Sequence, residues 1–301
     1  MLSGFDPSIR VRKELEAFFG VGLSSANPFS AVSELIDVSG AQAKIGGCVL
    51  PASSEILLIS TGKASEPMAK AVEKKLGSQI VGGIVVMRNR DDTIVFDNLE
   101  TIESSHPVPD ARSEKAAKTV MNALDGFQVN ADHPDRRVVY CVSGGTSSLM
   151  ACPMHGLSMA DIQETTQSLL GAGATIHEIN TVRKHITDFS GGKLAGHFNG
   201  EIDVLVLSDV MGDDLDVIAS GPCVADRSTY QDAVAVIAKF ELEADIPKPV
   251  MDVLDRGCSG NIEETAKPGA VRFSAVETYL VGSNRRSLDA IVEDAQSKGL
   301  A

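Results

Sequence analysis

The stretch VVYCVSGGTSSL, residues 138–149, joins a short apolar run to a loop of glycines and hydroxyl side chains. The run is continuously apolar rather than alternating, which is typical of a strand covered on both faces, as in a parallel sheet with helices above and below. Three further runs are built in the same way and are also followed by polar loops, and GGIVV at 82–86 is a fifth candidate strand. The three are ILLIS at 56–60, VLVLS at 204–208 and TYLVG at 278–282.

Helical patterns alternate with these strands, at residues 66–76, 111–124 and 159–170. The last pattern follows Ser158 with Asp161 three residues on, which is a capping-box arrangement. The chain also opens with a helical pattern, in which Asp6 and Pro7 supply an N-cap and a first turn and apolar residues recur up to Gly20. This alternation predicts an α/β fold with a three-layer α/β/α, Rossmann-like, mostly parallel sheet.

The sequence becomes irregular after about residue 240. Residues 241–274 are rich in proline and glycine, which indicates a boundary or a long connection, and one further strand and helix follow. We therefore predict a Rossmann-like α/β domain over residues 1–240. Residues 241–301 are predicted as a connection and the first β-loop-α piece of an incomplete C-terminal domain, so we expect the natural chain to continue past Ala301.

Charge and composition exclude several classes of protein. The chain has 27 Lys and Arg against 41 Asp and Glu, a formal charge of −14, so its surface repels nucleic acids and anionic lipids. It has no apolar run near the roughly 18 residues of a spanning helix and no signal-peptide h-region. The five cysteines never form a CxxC pair. We expect a cytoplasmic protein with a small-molecule partner and neither nucleic acid nor membrane as partner; a homo-oligomer is left open.

Two glycine loops are candidate anion sites, because the crevice of an open parallel sheet lies beyond the carboxyl ends of its strands. TGKAS at 61–65 places Gly62 and Lys63 there at the start of a helix, where backbone N–H groups and a cation can face an anionic ligand. SGGTSS at 143–148 allows close backbone approach and several hydroxyl donors. Its candidate binding residues are Ser143, Gly144, Gly145, Thr146 and Ser147. The alternative for both is an ordinary turn, since neither is a Walker A sequence.

A cationic helix face follows further along the chain. The segment HEINTVRKH at 177–185 is predicted to be helical and places Asn180, Arg183 and Lys184 on or beside one face. The SGGK turn at 190–193 adds Lys193 next to two glycines. These residues are candidates for binding a substrate or phosphate group, and the alternative is a solvated surface.

The segment SDVMGDDLDVIASGP at 208–222 supplies carboxylates. Asp209 directly follows a predicted strand, and Asp213 and Asp214 lie in the same loop. Such oxygen ligands suit Mg²⁺ bound together with substrate phosphates, and one carboxylate could instead accept a proton from a hydroxyl. The alternative is an Asp-rich cap and turn. Opposed cations and carboxylates favour phosphoryl transfer, whose catalysis is mostly positioning and neutralisation of charge.

Six motifs in this order resemble the class II glycerate 2-kinases, the GckA/TtuD-like family. They are GKAS at 62–65, SSHPVPD at 104–110, SGGTSSL at 143–149, NTVRKH at 180–185, GGKLA at 191–195 and SDVMGDDLDVIASGP at 208–222. The resemblance implies that ATP, with Mg²⁺, phosphorylates the 2-hydroxyl of D-glycerate to give 2-phosphoglycerate. It assigns Lys63 to charge on the transferred group, Asp209 to catalysis or metal, and Ser143, Gly144 and Gly145 to substrate or phosphate. Asn180, Arg183 and Lys184 are assigned to the glycerate carboxylate or nucleotide phosphates.

The chain also departs from this family. Ser190 stands where a lysine is common, and Cys223 where a threonine is common. Members continue into a C-terminal MOFRL domain that supplies an active-site arginine, and this sequence stops before it.

Two alternatives to the kinase are kept. One is an NAD(P)-dependent hydroxypyruvate reductase, a name that members often carry, although GxGxxG follows none of the predicted strands. The other is a non-catalytic α/β module that binds an anionic small molecule.

Overall fold

The computed structural model describes residues 7–40, 42–89 and 93–299, with nine strands and ten α-helices in these ranges. The strands are β1 (Ile36–Ser39), β2 (Gln42–Ile45), β3 (Cys48–Leu50), β4 (Glu55–Thr61), β5 (Ile80–Met87), β6 (Leu99–Glu103), β7 (Arg136–Ser143), β8 (Glu201–Leu207) and β9 (Val276–Gly282). The helices are α1 (Pro7–Ser25), α2 (Pro28–Leu35), α3 (Ser65–Leu76), α4 (Ala111–Gly126), α5 (Thr146–Leu149), α6 (Met159–Gly171), α7 (Ile176–Lys184), α8 (Tyr230–Lys239), α9 (Lys248–Cys258) and α10 (Asn284–Ser297). Within the described ranges, no helix has both the length and the apolar character needed to cross a bilayer.

Six strands form one parallel sheet in the order β6-β5-β4-β7-β8-β9. Counted along the chain within this sheet, the order is 3-2-1-4-5-6, which is that of a doubly wound Rossmann-like fold. The predicted fold class is therefore confirmed, and all five strands predicted from apolar runs are present. The strand order reverses between β4 and β7, so a crevice opens beyond the carboxyl ends of these two strands.

Both faces of the sheet are buried at the central strands β4, β7 and β8, which explains the continuous apolar runs in these strands. Along β7, Val138, Tyr140 and Val142 point to one face and pack in the same cluster as α4. Val139 and Cys141 point to the other face and pack with α2 and α3. A third cluster joins helices α6 to α9. The predicted capping box at the start of α6 is present, because the side chains of Ser158 and Asp161 bond each other's backbone N–H groups.

Two parts of the β-structure were not predicted. Strands β1, β2 and β3 form a separate antiparallel sheet, and they have four, four and three residues, too few to give a periodic signal. The edge strand β6, with the sequence LETIE, is half-buried or exposed at every position. An edge strand with polar residues lacks the continuous apolar run that marks its neighbours.

The predicted first helix is present as α1 but does not end at Gly20; it continues to Ser25. It packs against α10. A Cβ at Gly22 would lie 2.7 Å from Cδ1 of Ile291, so the glycine allows a close helix contact instead of ending the helix. Asp6, the predicted N-cap, lies outside the described residues.

The predicted boundary near residue 240 is wrong. Strand β9 pairs in parallel with β8, from Val276 beside Ile202 to Gly282 beside Leu207, and is the sixth strand of the same sheet. The irregular segment also contains a helix, α9, whose Pro249 lies in the first turn, where a proline is tolerated. Residues 241–299 therefore contribute a strand to this sheet and helices to the layers around it.

Candidate active site

Lys63 and Asp209 face each other across the crevice at the reversal of strand order. Lys63 lies two residues after β4, and Asp209 lies two residues after β8. Nζ of Lys63 is 3.4 Å from Oδ2 of Asp209, and 54% and 53% of the two side chains are exposed. An ion pair that is this exposed stabilises a fold little, and both groups remain accessible to a ligand. The structure thus brings the two predicted catalytic residues together.

The loops after β4 and β7 are in direct contact. Gly62 has a φ of +111°, and a Cβ there would lie 2.3 Å from Oγ of Ser143. The N–H of Lys63 donates to the carbonyl of Gly144 at 2.9 Å, and the N–H of Ala64 donates to Oγ of Ser143 at 3.0 Å. Ser143 is buried. Its hydroxyl therefore serves to position Lys63, a different role from the predicted contact with phosphate.

Gly144 and Gly145 leave the space that neighbouring side chains occupy. A Cβ at Gly144 would lie 1.9 Å from Oδ2 of Asp209. A Cβ at Gly145 would lie 3.0 Å from Cδ2 of His106 and 3.3 Å from Cγ of Lys63. The carboxylate and the imidazole reach these positions because the two residues have no side chains. The paired glycines are required for close packing of the site.

A second cation, Arg183, lies beside the SGGTSS loop. Its Nη1 donates to Oδ1 of Asn180 at 3.0 Å and to Oγ of Ser220 at 3.4 Å. The hydroxyls of Ser220 and Ser147 are 2.9 Å apart, which links Arg183 to the loop after β7. Burial lowers the pKa of Arg183 to about 10. Since a desolvated charge is costly unless it is paired, and no described carboxylate forms an ion pair with Arg183, this guanidinium is a candidate anion-binding group.

Ser220 is a site residue that sequence reasoning missed. Ala219 and Ser220 have φ values of 57° and 60°, and Gly221 follows with 60°. Left-handed backbone at a non-glycine residue costs of order 1–3 kcal/mol and is concentrated at functional sites. The ASGP sequence at 219–222 indicated a turn but not that its serine points toward Arg183.

Three other predicted binding residues have partners within the protein. Lys184 is buried and pairs with Asp216 and, at 3.4 Å, with Asp226. Lys193 donates to the main-chain carbonyls of Lys184 and Thr187, where the end of α7 attracts a cation. Burial lowers the pKa of Lys193 to about 8. Oγ1 of Thr146 donates to the carbonyl of Ser143 at 2.9 Å. These side chains support the site, and the geometry does not turn them toward a ligand.

The predicted set of three aspartate ligands does not form a metal site. In the described part of the chain, no three His, Cys, Asp or Glu side chains are arranged to hold a metal ion. Oδ1 of Asp214 accepts the N–H of Asp216 at 3.1 Å, and Asp213 and Asp214 line a cavity with Arg227. Asp209 alone of the three lies against Lys63. One carboxylate suffices for Mg²⁺ held mainly by phosphates and water, so Asp209 fits such an ion.

His106 is a second residue that sequence reasoning missed. It belongs to the SSHPVPD segment, which was noted as a motif but given no role. Its ring edge faces Gly145, and its Nδ1 is buried without a hydrogen-bond partner in the structure. The motif follows the edge strand β6, which the sequence pattern did not predict. The sequence therefore offered no reason to place His106 at the crevice.

Comparison with known proteins identifies the family. The family described as "Domain of unknown function (DUF4147)" matches residues 14–255. A Pyrococcus horikoshii protein named glycerate 2-kinase is 36% identical over 280 residues, covering 93% of this chain and 61% of its own. An Agrobacterium vitis protein, provisionally named a hydroxypyruvate reductase, is 37% identical over 293 residues. The match covers 97% of this chain and 60% of that protein. The crystal structure of a Thermotoga maritima glycerate kinase (EC 2.7.1.31) matches with a TM-score of 0.79 at 33% identity. The match covers 96% of this chain and 63% of that structure's chain.

The chain spans between 60% and 63% of the length of these three relatives. The matched region contains the parallel sheet from β4 to β8 and the loops that carry Lys63, Arg183 and Asp209. The chain therefore belongs to the DUF4147 family and is a relative of glycerate kinases.

Proposed function

We propose that this chain carries the phosphoryl-transfer site of an ATP-dependent D-glycerate 2-kinase, which forms 2-phosphoglycerate and ADP. One observation carries the proposal: the loop after β7 lies against the Lys63 and Asp209 pair and is linked through Ser147 and Ser220 to Arg183, which forms no ion pair with a described carboxylate. The names of the glycerate kinase relatives support the choice of substrate. We also propose that the reaction takes place in the cytoplasm, which cell fractionation can check.

The carboxylate of D-glycerate is the anion that we assign to Arg183. A guanidinium can bind a carboxylate through two parallel hydrogen bonds, and such charge-assisted bonds are stronger than neutral ones. Asn180 and Ser220 already fix Nη1, which orients the guanidinium plane before a ligand arrives. A bound carboxylate would also supply the negative charge that this half-buried cation lacks.

Phosphoryl transfer then requires a proton acceptor and a cation at the reacting group. The 2-hydroxyl oxygen of glycerate forms a bond to the γ-phosphorus while the bond from that phosphorus to the bridging oxygen of ADP breaks. The hydroxyl proton passes to a carboxylate, for which Asp209 is our candidate, and ADP leaves with the electron pair of the broken bond. The ammonium of Lys63 neutralises negative charge on the transferred group.

Asp209 is also our candidate for holding Mg²⁺ together with the nucleotide phosphates. The ion, when bound, neutralises charge on the β- and γ-phosphates. Asp209 is half exposed and contacts Lys63, so one of its oxygens can turn to either task. The variant Asp209→Asn separates the two roles, because only the metal-binding role can be restored by added Mg²⁺.

The test is a coupled assay of the natural protein that contains this chain, with ATP, Mg²⁺ and D-glycerate. We expect ADP release that depends on glycerate and a product identified as 2-phosphoglycerate by phosphorus NMR. Oxidation of NADH with hydroxypyruvate, without any kinase activity, would favour the reductase instead. Calorimetric binding of glycerate or nucleotide with no turnover in either assay would favour a non-catalytic binding module.

A further inference from the structure

The segment that carries His106 is attached to the loop after β7. Oγ of Ser104 donates to the carbonyl of Leu149 at 2.7 Å, and Oγ of Ser148 donates to the carbonyl of Pro107 at 2.8 Å. These bonds lie on either side of His106 in the sequence and both reach α5. The position of the imidazole is thereby set by the same short helix that follows the paired glycines.

The ring of His106 is directed at the space beside Lys63. The position that a Cβ of Gly145 would take is 3.1 Å from Nε2 of His106 and 3.3 Å from Cγ of Lys63. Nδ1, on the other side of the ring, is buried and has no hydrogen-bond partner. Nε2 is therefore the ring nitrogen placed to reach a molecule in the crevice.

Three charged groups from different strands face this imidazole. Burial contributes most to lowering the pKa of His106, followed by the positive charges of Lys63, after β4, and Arg88, after β5. Asp209, after β8, acts in the opposite direction but does not reverse the shift. A pKa below 6.5 keeps most of the ring uncharged at neutral pH. Uptake of a proton would place a third cation beside Lys63 and Arg88.

An uncharged imidazole carries one N–H, and the surroundings favour it on Nε2. On Nδ1 the hydrogen would be a buried donor without an acceptor, which is rare in native structures. On Nε2 it faces the crevice, where an oxygen can accept it. The positive charge of Lys63 acts on this ring, so the accepting oxygen would be an anionic one.

We propose that His106 is a ligand-binding residue of this crevice, which donates a hydrogen bond from Nε2 to an anionic phosphate oxygen held beside Lys63. It acts as a neutral donor and does not accept the hydroxyl proton. The assignment of that oxygen to the transferred phosphoryl group rests on the proposed function; the hydrogen bond itself does not.

Nitrogen NMR of the histidine-labelled full-length protein tests the hydrogen bond directly. At pH 7 we expect the His106 ring, identified by the loss of its signals in His106→Gln, to be neutral with its hydrogen on Nε2. Addition of inorganic phosphate, and of ADP with Mg²⁺, should shift the Nε2 signal. A ring that is charged at pH 7, that carries its hydrogen on Nδ1, or that responds to neither addition overturns the proposal.

Two variants test the role in turnover. The amide nitrogen of glutamine can take the position of Nε2, whereas that of asparagine is nearer to Nδ1. We expect His106→Gln to keep kcat within about tenfold of wild type and His106→Asn to lose about 100-fold, the usual cost of removing one donor to a reacting group. Equal losses in both folded variants contradict a donor role. His155→Ala, at an exposed histidine, is the matched control.

The two proposals fail in different ways. If the protein does not phosphorylate glycerate but the Nε2 signal responds to phosphate, the assigned substrate is wrong and His106 still binds an anion. If glycerate is phosphorylated but the Nε2 signal responds neither to phosphate nor to ADP with Mg²⁺, the kinase function is supported and the proposed role of His106 is wrong.

Discussion

Lys63 and Asp209 are separated by 146 positions in the sequence, yet Nζ of the lysine lies 3.4 Å from Oδ2 of the aspartate. The parallel sheet brings them together, because each follows the carboxyl end of a strand and these ends share one edge of the sheet. Ser143 ends the strand that lies between the two, and Gly144 follows it. The arrangement supports several predictions about turnover and stability.

Replacing Lys63 with alanine should lower kcat far more than it changes KM. If the ammonium acts on charge that develops during transfer, kcat should fall by about 100- to 1,000-fold, while KM for ATP stays within about threefold. Steady-state kinetics with D-glycerate measure both constants. Lys115→Ala, at an exposed lysine on α4, is the control. A kcat within a few-fold of wild type would make Lys63 an ordinary surface lysine.

Asp209→Asn should abolish turnover without unfolding the protein, because the side chain is half exposed. If Asp209 holds Mg²⁺, raising the Mg²⁺ concentration should recover part of the rate. If it accepts the proton, added metal should have no effect. Asp132→Asn, in an exposed turn before β7, is the matched control. A variant that keeps its rate and only melts at a lower temperature would show a purely structural role.

Gly144→Ala should displace Asp209, because the new Cβ would lie 1.9 Å from Oδ2. We expect kcat to fall at least tenfold, since a misplaced catalytic group loses rate steeply with distance. Gly77→Ala is the control, because nothing lies within 4 Å of the Cβ position there. Kinetics and thermal melting of the two variants should be compared. Wild-type turnover in Gly144→Ala would mean that Asp209 need not occupy its observed position.

Arg183→Met should remove glycerate binding while leaving thermal stability equal or higher. Burial disfavours the charged guanidinium and lowers its pKa to about 10, so an apolar side chain of similar length removes a desolvation cost. Calorimetry with D-glycerate and a melting curve measure the two effects. Loss of stability together with unchanged binding would assign Arg183 to the fold.

Asp226→Asn tests the buried ion pair behind the site. Burial would raise the pKa of Asp226, but the charge of Lys184 and hydrogen bonds from Ser228 and Thr265 outweigh it, so the pKa is lowered. The carboxylate therefore stabilises the fold above its unfolded pKa of about 3.9, and this contribution is lost as the pH falls through the lower folded pKa. We expect the variant to lose about 3 kcal/mol at pH 7.

The acid limb of the stability curve provides the second readout for Asp226. Urea unfolding between about pH 5 and pH 2 should show a shallower loss of stability in Asp226→Asn than in wild type, because one carboxylate with a shifted pKa is gone. Asp132→Asn should keep the wild-type slope. Identical slopes in all three proteins would mean that Asp226 does not titrate with folding.

The central strands were predictable because they are buried on both faces. Residues 138–142 and 204–206 are apolar without interruption, and this pattern requires helices above and below the sheet. Strand β6 and the small sheet of β1 to β3 were not predictable in the same way, since half-exposed or very short strands carry no distinctive period. The apparent boundary at residue 240 came from prolines that belong to the start of α9 and to loops around it.

The site was predictable where the chemistry follows directly on a strand. Lys63 and Asp209 come two residues after β4 and β8, so the shared sheet edge places them together. Arg183 was predicted as a cation on a helix, but the lack of a paired carboxylate is a property of packing that no sequence pattern expresses. The burial of Lys184 against Asp216 and Asp226 depends on contacts 32 and 42 residues apart.

The contact between the hydroxyls of Ser147 and Ser220 joins two loops that come from different strands of the sheet. The backbone around it is ordered when the chain folds, so its conformational entropy is lost at that stage. An incoming anion would then meet a preorganised receptor and would not have to order these loops from its own binding free energy. Affinity at this crevice should accordingly depend on charge and desolvation more than on loop closure.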